Sequence, residues 1–127
     1  MKLLIDTHIL IWAAADTLPE KAVPYISDLE NILLFSSASI WEVVIKKNLN
    51  RPDFTIDPFL LYRGLLDNGY RELDITSRHV LLVNDLPPLH KDPFDRILLA
   101  QAKAEGAILL TSDETVARYP GMIIHIS

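Results

Sequence analysis

Lys2-Leu3-Leu4-Ile5-Asp6-Thr7 opens the chain, a mostly apolar run that ends in an acid and a hydroxyl. Residues 2–5 are too few for a helix, and no period-two alternation marks a solvent-facing side. That pattern suits a short parallel strand covered on both faces. In open α/β sheets, ligands gather beyond the carboxyl ends of the strands. Asp6 therefore stands where chemistry is expected, and the rest of the sequence can be searched for acids that join it.

Outward from this strand the chain alternates strand-like and helix-like stretches. Residues 7–15 read as a helix with Thr7 as its cap. Pro19 opens a second helix, with Val23, Ile26 and Leu29 on one side, that ends near Asn31. Residues 32–35 form a second buried strand, followed by a serine-rich cap and a helix over about 38–47 that ends in lysines. Residues 58–68 are an amphipathic helix that turns Phe59, Leu60, Tyr62, Leu65 and Leu66 to the core and stops at Gly69. A more polar strand over 70–75 belongs nearer an edge, and Thr76 or Ser77 caps a helix through Val83. Asp92-Pro93 opens a long helix to about Glu105. Residues 107–111 make a fourth strand that delivers Ser112 and Asp113, and residues 122–126 make a fifth. Short loops between alternating elements imply a mostly parallel sheet of about five strands in a three-layer α/β/α sandwich, with the first strand central.

Length and composition frame this. The 127 residues suffice for one domain, residues 1–127, and half of them are apolar. No apolar run is long enough to span a bilayer, and the opening residues do not read as a signal peptide. With no cysteine, disulfides, thiolate metal sites and cysteine nucleophiles are excluded, and a cytoplasmic protein is expected. The formal net charge of -5 argues against a module that merely coats nucleic acid, which is usually basic.

Four acids fall where one rim of such a sheet would gather them. Asp6 and Asp113 follow strands, Glu42 lies in the second turn of the helix after the second strand, and Asp95 lies in the first turn of the helix opened by Asp92. Each has an ordinary alternative role. Asp6 can cap the next helix, Asp113 can belong to a turn, Asp95 can complement the helix dipole, and Glu42 can pair with Lys46 one turn on. Glu42 is the hardest to dismiss, because its neighbours Ile40, Trp41, Val43, Val44 and Ile45 are apolar and a buried glutamate needs a partner or a metal. Close carboxylates repel by roughly 4 kcal/mol per pair at an effective dielectric of about 20. A divalent cation or a raised pKa relieves such repulsion. Oxygen ligands favour hard cations, Mg2+ or Mn2+.

The segments Leu4-Ile5-Asp6-Thr7, Ser39 to Lys46, Asp92-Pro93-Phe94-Asp95-Arg96 with the apolar helix behind it, and Leu110-Thr111-Ser112-Asp113 resemble the PIN domain, most nearly the VapC-type toxins of toxin–antitoxin pairs. The resemblance runs through essentially the whole chain in order. It implies a metal-dependent ribonuclease whose catalytic and metal-binding acids are Asp6, Glu42, Asp95 and Asp113. It further implies that Thr7, Thr111 and Ser112 orient a carboxylate or water, with Asp92 left to capping. A homodimer and a co-expressed antitoxin protein are implied as partners, beside the RNA substrate. The apolar stretches 9–15 and 59–66 are candidate contact faces, although ordinary core accounts for most of their positions.

Lys46, Lys47, Lys91 and Arg96 are candidates for holding RNA phosphates, chosen by nearness in sequence to the acids; Arg96 can instead pair with an acid. His8, His79, His90 and His125 are scattered, without neighbours at ligand spacing; His8 follows the first acid and could touch substrate, but reads first as a helix-surface histidine. Trp12 and Trp41 read as core or dimer interface. Two rival functions remain. A phosphotransfer enzyme with Asp6 as nucleophile lacks the second acid two residues on, where His8 stands. A catalytically silent binding module would have no use for four complete acids.

Overall fold

The computed structural model describes residues 1–126. Its five strands among these residues are β1 (Lys2–Ile5), β2 (Ile32–Ser36), β3 (Arg71–Leu73), β4 (Ile108–Thr111) and β5 (Ile123–His125). They form one sheet in the order β3-β2-β1-β4-β5, with every neighbouring pair parallel. The opening strand is central, as expected, and the short polar β3 is at an edge. Leu3 and Ile5 point into one apolar cluster, while Leu4 between them points into the other. A strand buried on both faces has no polar side to show, which is why its sequence does not alternate.

Among the described residues seven helices flank the sheet: α1 (Thr7–Ala14), α2 (Val23–Ser27), α3 (Ser37–Asn48), α4 (Pro58–Asp67), α5 (Ser77–Val83), α6 (Pro93–Glu105) and α7 (Glu114–Ala117). One face of the sheet buries Ile9 and Leu10 of α1, Val43 of α3, and Leu61 and Leu65 of α4. The other face buries Leu98, Leu99 and Ala102 of α6 with Val116 of α7. The result is the three-layer α/β/α sandwich.

Several local readings change. The cap of α1 is Asp6, whose side chain accepts from the Ile9 N–H, so Thr7 is the first helical residue and its hydroxyl is free for another partner. The second helix does not start at Pro19. It is a five-residue turn with Pro24 in its first positions, and Leu29 beyond it is 99% exposed. Proline is tolerated only where the helix lacks internal donors, so the element starts just before Pro24. On α4 the buried stripe is Leu61 and Leu65, one turn apart, whereas Phe59 and Leu60 are 84% and 66% exposed and Leu66 is also exposed. Of the five residues expected to face the core, Leu65 alone is buried. The third, fourth and fifth strands are each shorter than their apolar runs.

Chain direction then fixes the site. All strands run the same way, so the carboxyl ends of adjacent β1 and β4 lie side by side, and the Asp6 N–H donates to the Leu110 carbonyl at 3.0 Å. The starts of α1, α3 and α7 follow β1, β2 and β4 on that same edge.

Candidate functional site

Asp6 is buried at this edge and saturated by donors. Its Oδ1 accepts from the Ile9 N–H at 3.0 Å. Its Oδ2 accepts from the Thr111 hydroxyl at 2.7 Å and from the Ser112 N–H at 2.9 Å. The Thr111 oxygen in turn accepts the Asp113 N–H at 3.0 Å, so one threonine links the acids after β1 and β4. Ser112 contributes through its backbone. Thr7, no longer a cap, donates its hydroxyl to Ser39 Oγ at 2.8 Å, which ties the start of α1 to α3 one turn before Glu42.

Asp113 divides its oxygens. Oδ1 caps α7, accepting from the N–H groups of Thr115 and Val116 at 2.7 and 3.0 Å. Oδ2 turns towards the His90 ring, 3.6 Å from Nε2. Burial pushes the Asp113 carboxyl up, but the Val116 and Thr115 N–H groups and His90 outweigh it and hold the pKa below its ordinary value. Asp95 responds in the opposite sense. Burial, and then the charge of Asp92, raise it to about 7; Asp113 and Glu42 add to the rise, and His90 opposes it. Glu42 and Asp113 are both near enough for their charges to act on Asp95.

Asp92 accepts from the Phe94 and Asp95 N–H groups and caps α6, the role read from the sequence. Glu42 makes the expected helical pair, its Oε2 accepting from Lys46 Nζ at 2.8 Å. Its Oε1 is different. The residue is only 5% exposed, and this oxygen is buried with no hydrogen-bond partner. A buried carboxylate oxygen without a donor is costly unless a cation or proton meets it.

His90, read from the sequence as unremarkable, lies inside the cluster. Its Nε2 is 2.9 Å from Asp95 Oδ2, and the ligating atoms of His90, Asp95 and Asp113 all lie within 4.8 Å of one another. Asp6 and Glu42 are outside that tight group and join it through Thr111 and through their helices. No local spacing signals His90, because it sits in an irregular loop that packing folds back. The sole sequence sign is its place two residues before the cap of α6. Of the other histidines, His8 is exposed beside Trp12, and His79 is a buried structural residue.

The basic candidates divide. Lys46 is engaged by Glu42. Arg96 gives its guanidinium to the carbonyls of Val83, Pro87 and His90 and to the Tyr119 hydroxyl, and so fastens the loop that carries His90. Lys47 and Lys91 are exposed. Trp41 is not core: it is 60% exposed, with its ring against Phe94 at 5.3 Å.

The family model for the PIN domain matches residues 3–122. The chain belongs to the PIN domain family. No curated protein matches it in sequence. Its PIN fold is similar to that of a chain in the structure of VapBC2 from Rickettsia felis bound to a DNA fragment from its promoter. The TM-score is 0.77 at 17% identity, over 100% of both chains. A chain of DNA-bound VapBC from Salmonella typhimurium gives 0.68 at 16% identity over 98% of each. The PIN domain endonuclease Utp24 gives 0.58 at 16% identity, over 99% of this chain and 85% of that one. At such identities these likenesses bear on the fold.

Proposed function

We propose that this PIN domain is a metal-dependent endoribonuclease that acts as the toxin of a toxin–antitoxin pair in the cytoplasm. The observation that carries the reading is the buried, partnerless Oε1 of Glu42 beside an Asp95 whose pKa is driven up to about 7. Both are signs of a negative site built for a positive guest. Membership of the PIN family and the fold shared with VapBC chains support it, since PIN domains are in general nucleases.

The donor set fits a hard divalent ion. Asp6, Glu42, Asp95 and Asp113 offer carboxylate oxygens, and cysteine is absent. Mg2+ or Mn2+ held there would supply a water activated at neutral pH and would screen charge at a phosphodiester. The chain supplies the positioning. Thr111 and Ser112 fix the Asp6 carboxylate, so it meets its guest without reorganising. Oδ1 of Asp113 is spent on a cap, which leaves Oδ2 pointed at the site. Lys47 and Lys91 remain free to meet flanking phosphates, while Lys46 serves Glu42 and Arg96 serves the loop. The exposed Phe59 and Leu60 on α4 give an apolar face for protein contact, with a second copy or an antitoxin.

The purified protein is expected to cut RNA with Mg2+ or Mn2+ and to stop when a chelator is added. Asp6→Asn keeps the shape of the side chain and removes its charge. It is expected to abolish cleavage while circular dichroism shows an intact fold. If Asp6→Asn cleaves as fast as the parent, the reading fails.

A further inference from the structure

His90 is held at three points before any guest arrives. Its backbone N–H donates to the Tyr119 hydroxyl at 2.8 Å, its backbone carbonyl accepts from Arg96 at 3.3 Å, and its ring Nδ1 accepts the Asp92 N–H at 3.3 Å. The last contact fixes the tautomer. A backbone N–H can only donate, so Nδ1 must be bare and the ring proton must sit on Nε2. That Nε2 is the atom turned into the cluster. It is fully buried and lies 2.9 Å from Asp95 Oδ2 and 3.6 Å from Asp113 Oδ2, yet it makes no directed hydrogen bond to either.

A histidine beside two carboxylates suggests a nitrogen ligand at first sight. Coordination through Nε2 needs that nitrogen bare, with the other nitrogen protonated and donating to an acceptor. Here the other nitrogen faces a donor. Ligation would set two N–H groups against each other at Asp92, so the loop is built for the opposite arrangement.

We propose that His90 is a positioning residue, not a ligand: its Nε2–H stands between Asp95 and Asp113 and holds these two carboxylates at the spacing a divalent ion requires. The electropositive N–H offsets the repulsion of two like charges that would otherwise drive them apart. The inference rests on the functional reading above in one respect, that a divalent ion is what the acids hold.

Nitrogen-15 NMR of the histidine rings tests the tautomer in the metal-free protein and again with saturating Mg2+, which is diamagnetic. Nε2 is expected to be protonated in both states. Calorimetric titration with Mn2+ alone, on the parent, His90→Ala and His90→Gln, tests the positioning. His90→Ala is expected to weaken Mn2+ binding about tenfold, the usual scale for a group that supports a ligand. His90→Gln, which restores an N–H donor near the same place, is expected to recover most of the loss. Circular dichroism shows whether each variant is folded.

Loss of the Nε2 proton on loading would make His90 a ligand and overturn the proposal. A folded His90→Ala that binds Mn2+ like the parent would overturn it too. A parent that takes no Mn2+ removes the functional reading, and the positioning role with it. The metal-free ring spectrum separates that outcome from an error in the tautomer.

Discussion

At the scale of single residues, the acids do two jobs with two oxygens. Asp6 and Asp113 each use Oδ1 to cap a helix; Oδ2 of Asp6 accepts from Thr111 and Ser112, and Oδ2 of Asp113 faces His90. Glu42 likewise gives one oxygen to Lys46 and leaves the other bare. The ordinary readings of these residues are thus realised without using every oxygen, because a carboxylate has more than one acceptor site. Asp95 carries a consequence for pH. Its folded pKa is raised from 3.8 to about 7 by burial first and by Asp92 next. Between these values the metal-free native state holds a proton that the unfolded chain has lost. Stability from this group is therefore full at the acid end and declines as pH rises towards and through about 7. Urea midpoints of the chelator-treated protein are expected to fall across that window, and Asp95→Asn is expected to flatten the slope. The positions of Asp6, Asp95 and Asp113 were legible because each follows a strand or lies at a helix start, and that of Glu42 because its helical neighbours are apolar. The membership of His90 was not, since a loop histidine has no periodicity to declare its neighbours.

At the scale of elements, the caps were the clearest local signals. Asp92-Pro93 opens α6 and Gly106, in the left-handed conformation with φ +63°, closes it, both where side-chain chemistry demands. Thr76 and His79 form a capping box at α5, and His79 Nε2 then reaches Glu105 Oε2 at 3.0 Å on α6. This hydrogen bond is the largest influence holding the Glu105 carboxyl below its ordinary value of 4.5, against the opposing effect of burial. A depressed carboxyl adds stability above its unfolded pKa and loses it as pH falls through the folded one. Glu105→Gln is therefore expected to lower stability near neutral pH and to converge with the parent in acid, read from thermal melts at each pH. The phase of α4 was not legible. Apolar residues occupy most of its positions, so any of several stripes is consistent with its sequence. Packing against α1, α3 and β3 selects Leu61 and Leu65, which join the buried cluster of Leu3, Ile5 and Phe35.

At the scale of the whole molecule, the parallel order puts Asp6 and Asp113 at adjacent strand ends and swings α3 and α6 in to supply Glu42 and Asp95. The apolar residues that α4 leaves outside face away from this core. If they serve protein contact, replacing Phe59 and Leu60 together with serine is expected to reduce the solution mass from dimer to monomer in sedimentation equilibrium. The melt is expected to change little, because neither side chain is buried in the single chain. A parent that is already monomeric would overturn the dimer role of this face.

The sequence by itself determined much that depends on near neighbours: the buried strands, the starts and stops of helices such as α6, and the acids placed near such ends. Those features follow from backbone hydrogen bonding and side-chain periodicity within a turn or two. Tertiary structure alone decided which oxygens were left without donors, which cations were already engaged and which loop residue entered the cluster. The folded chain spends Arg96 on carbonyls and brings His90 to Asp95 through contacts between residues far apart along the chain, which no local pattern encodes.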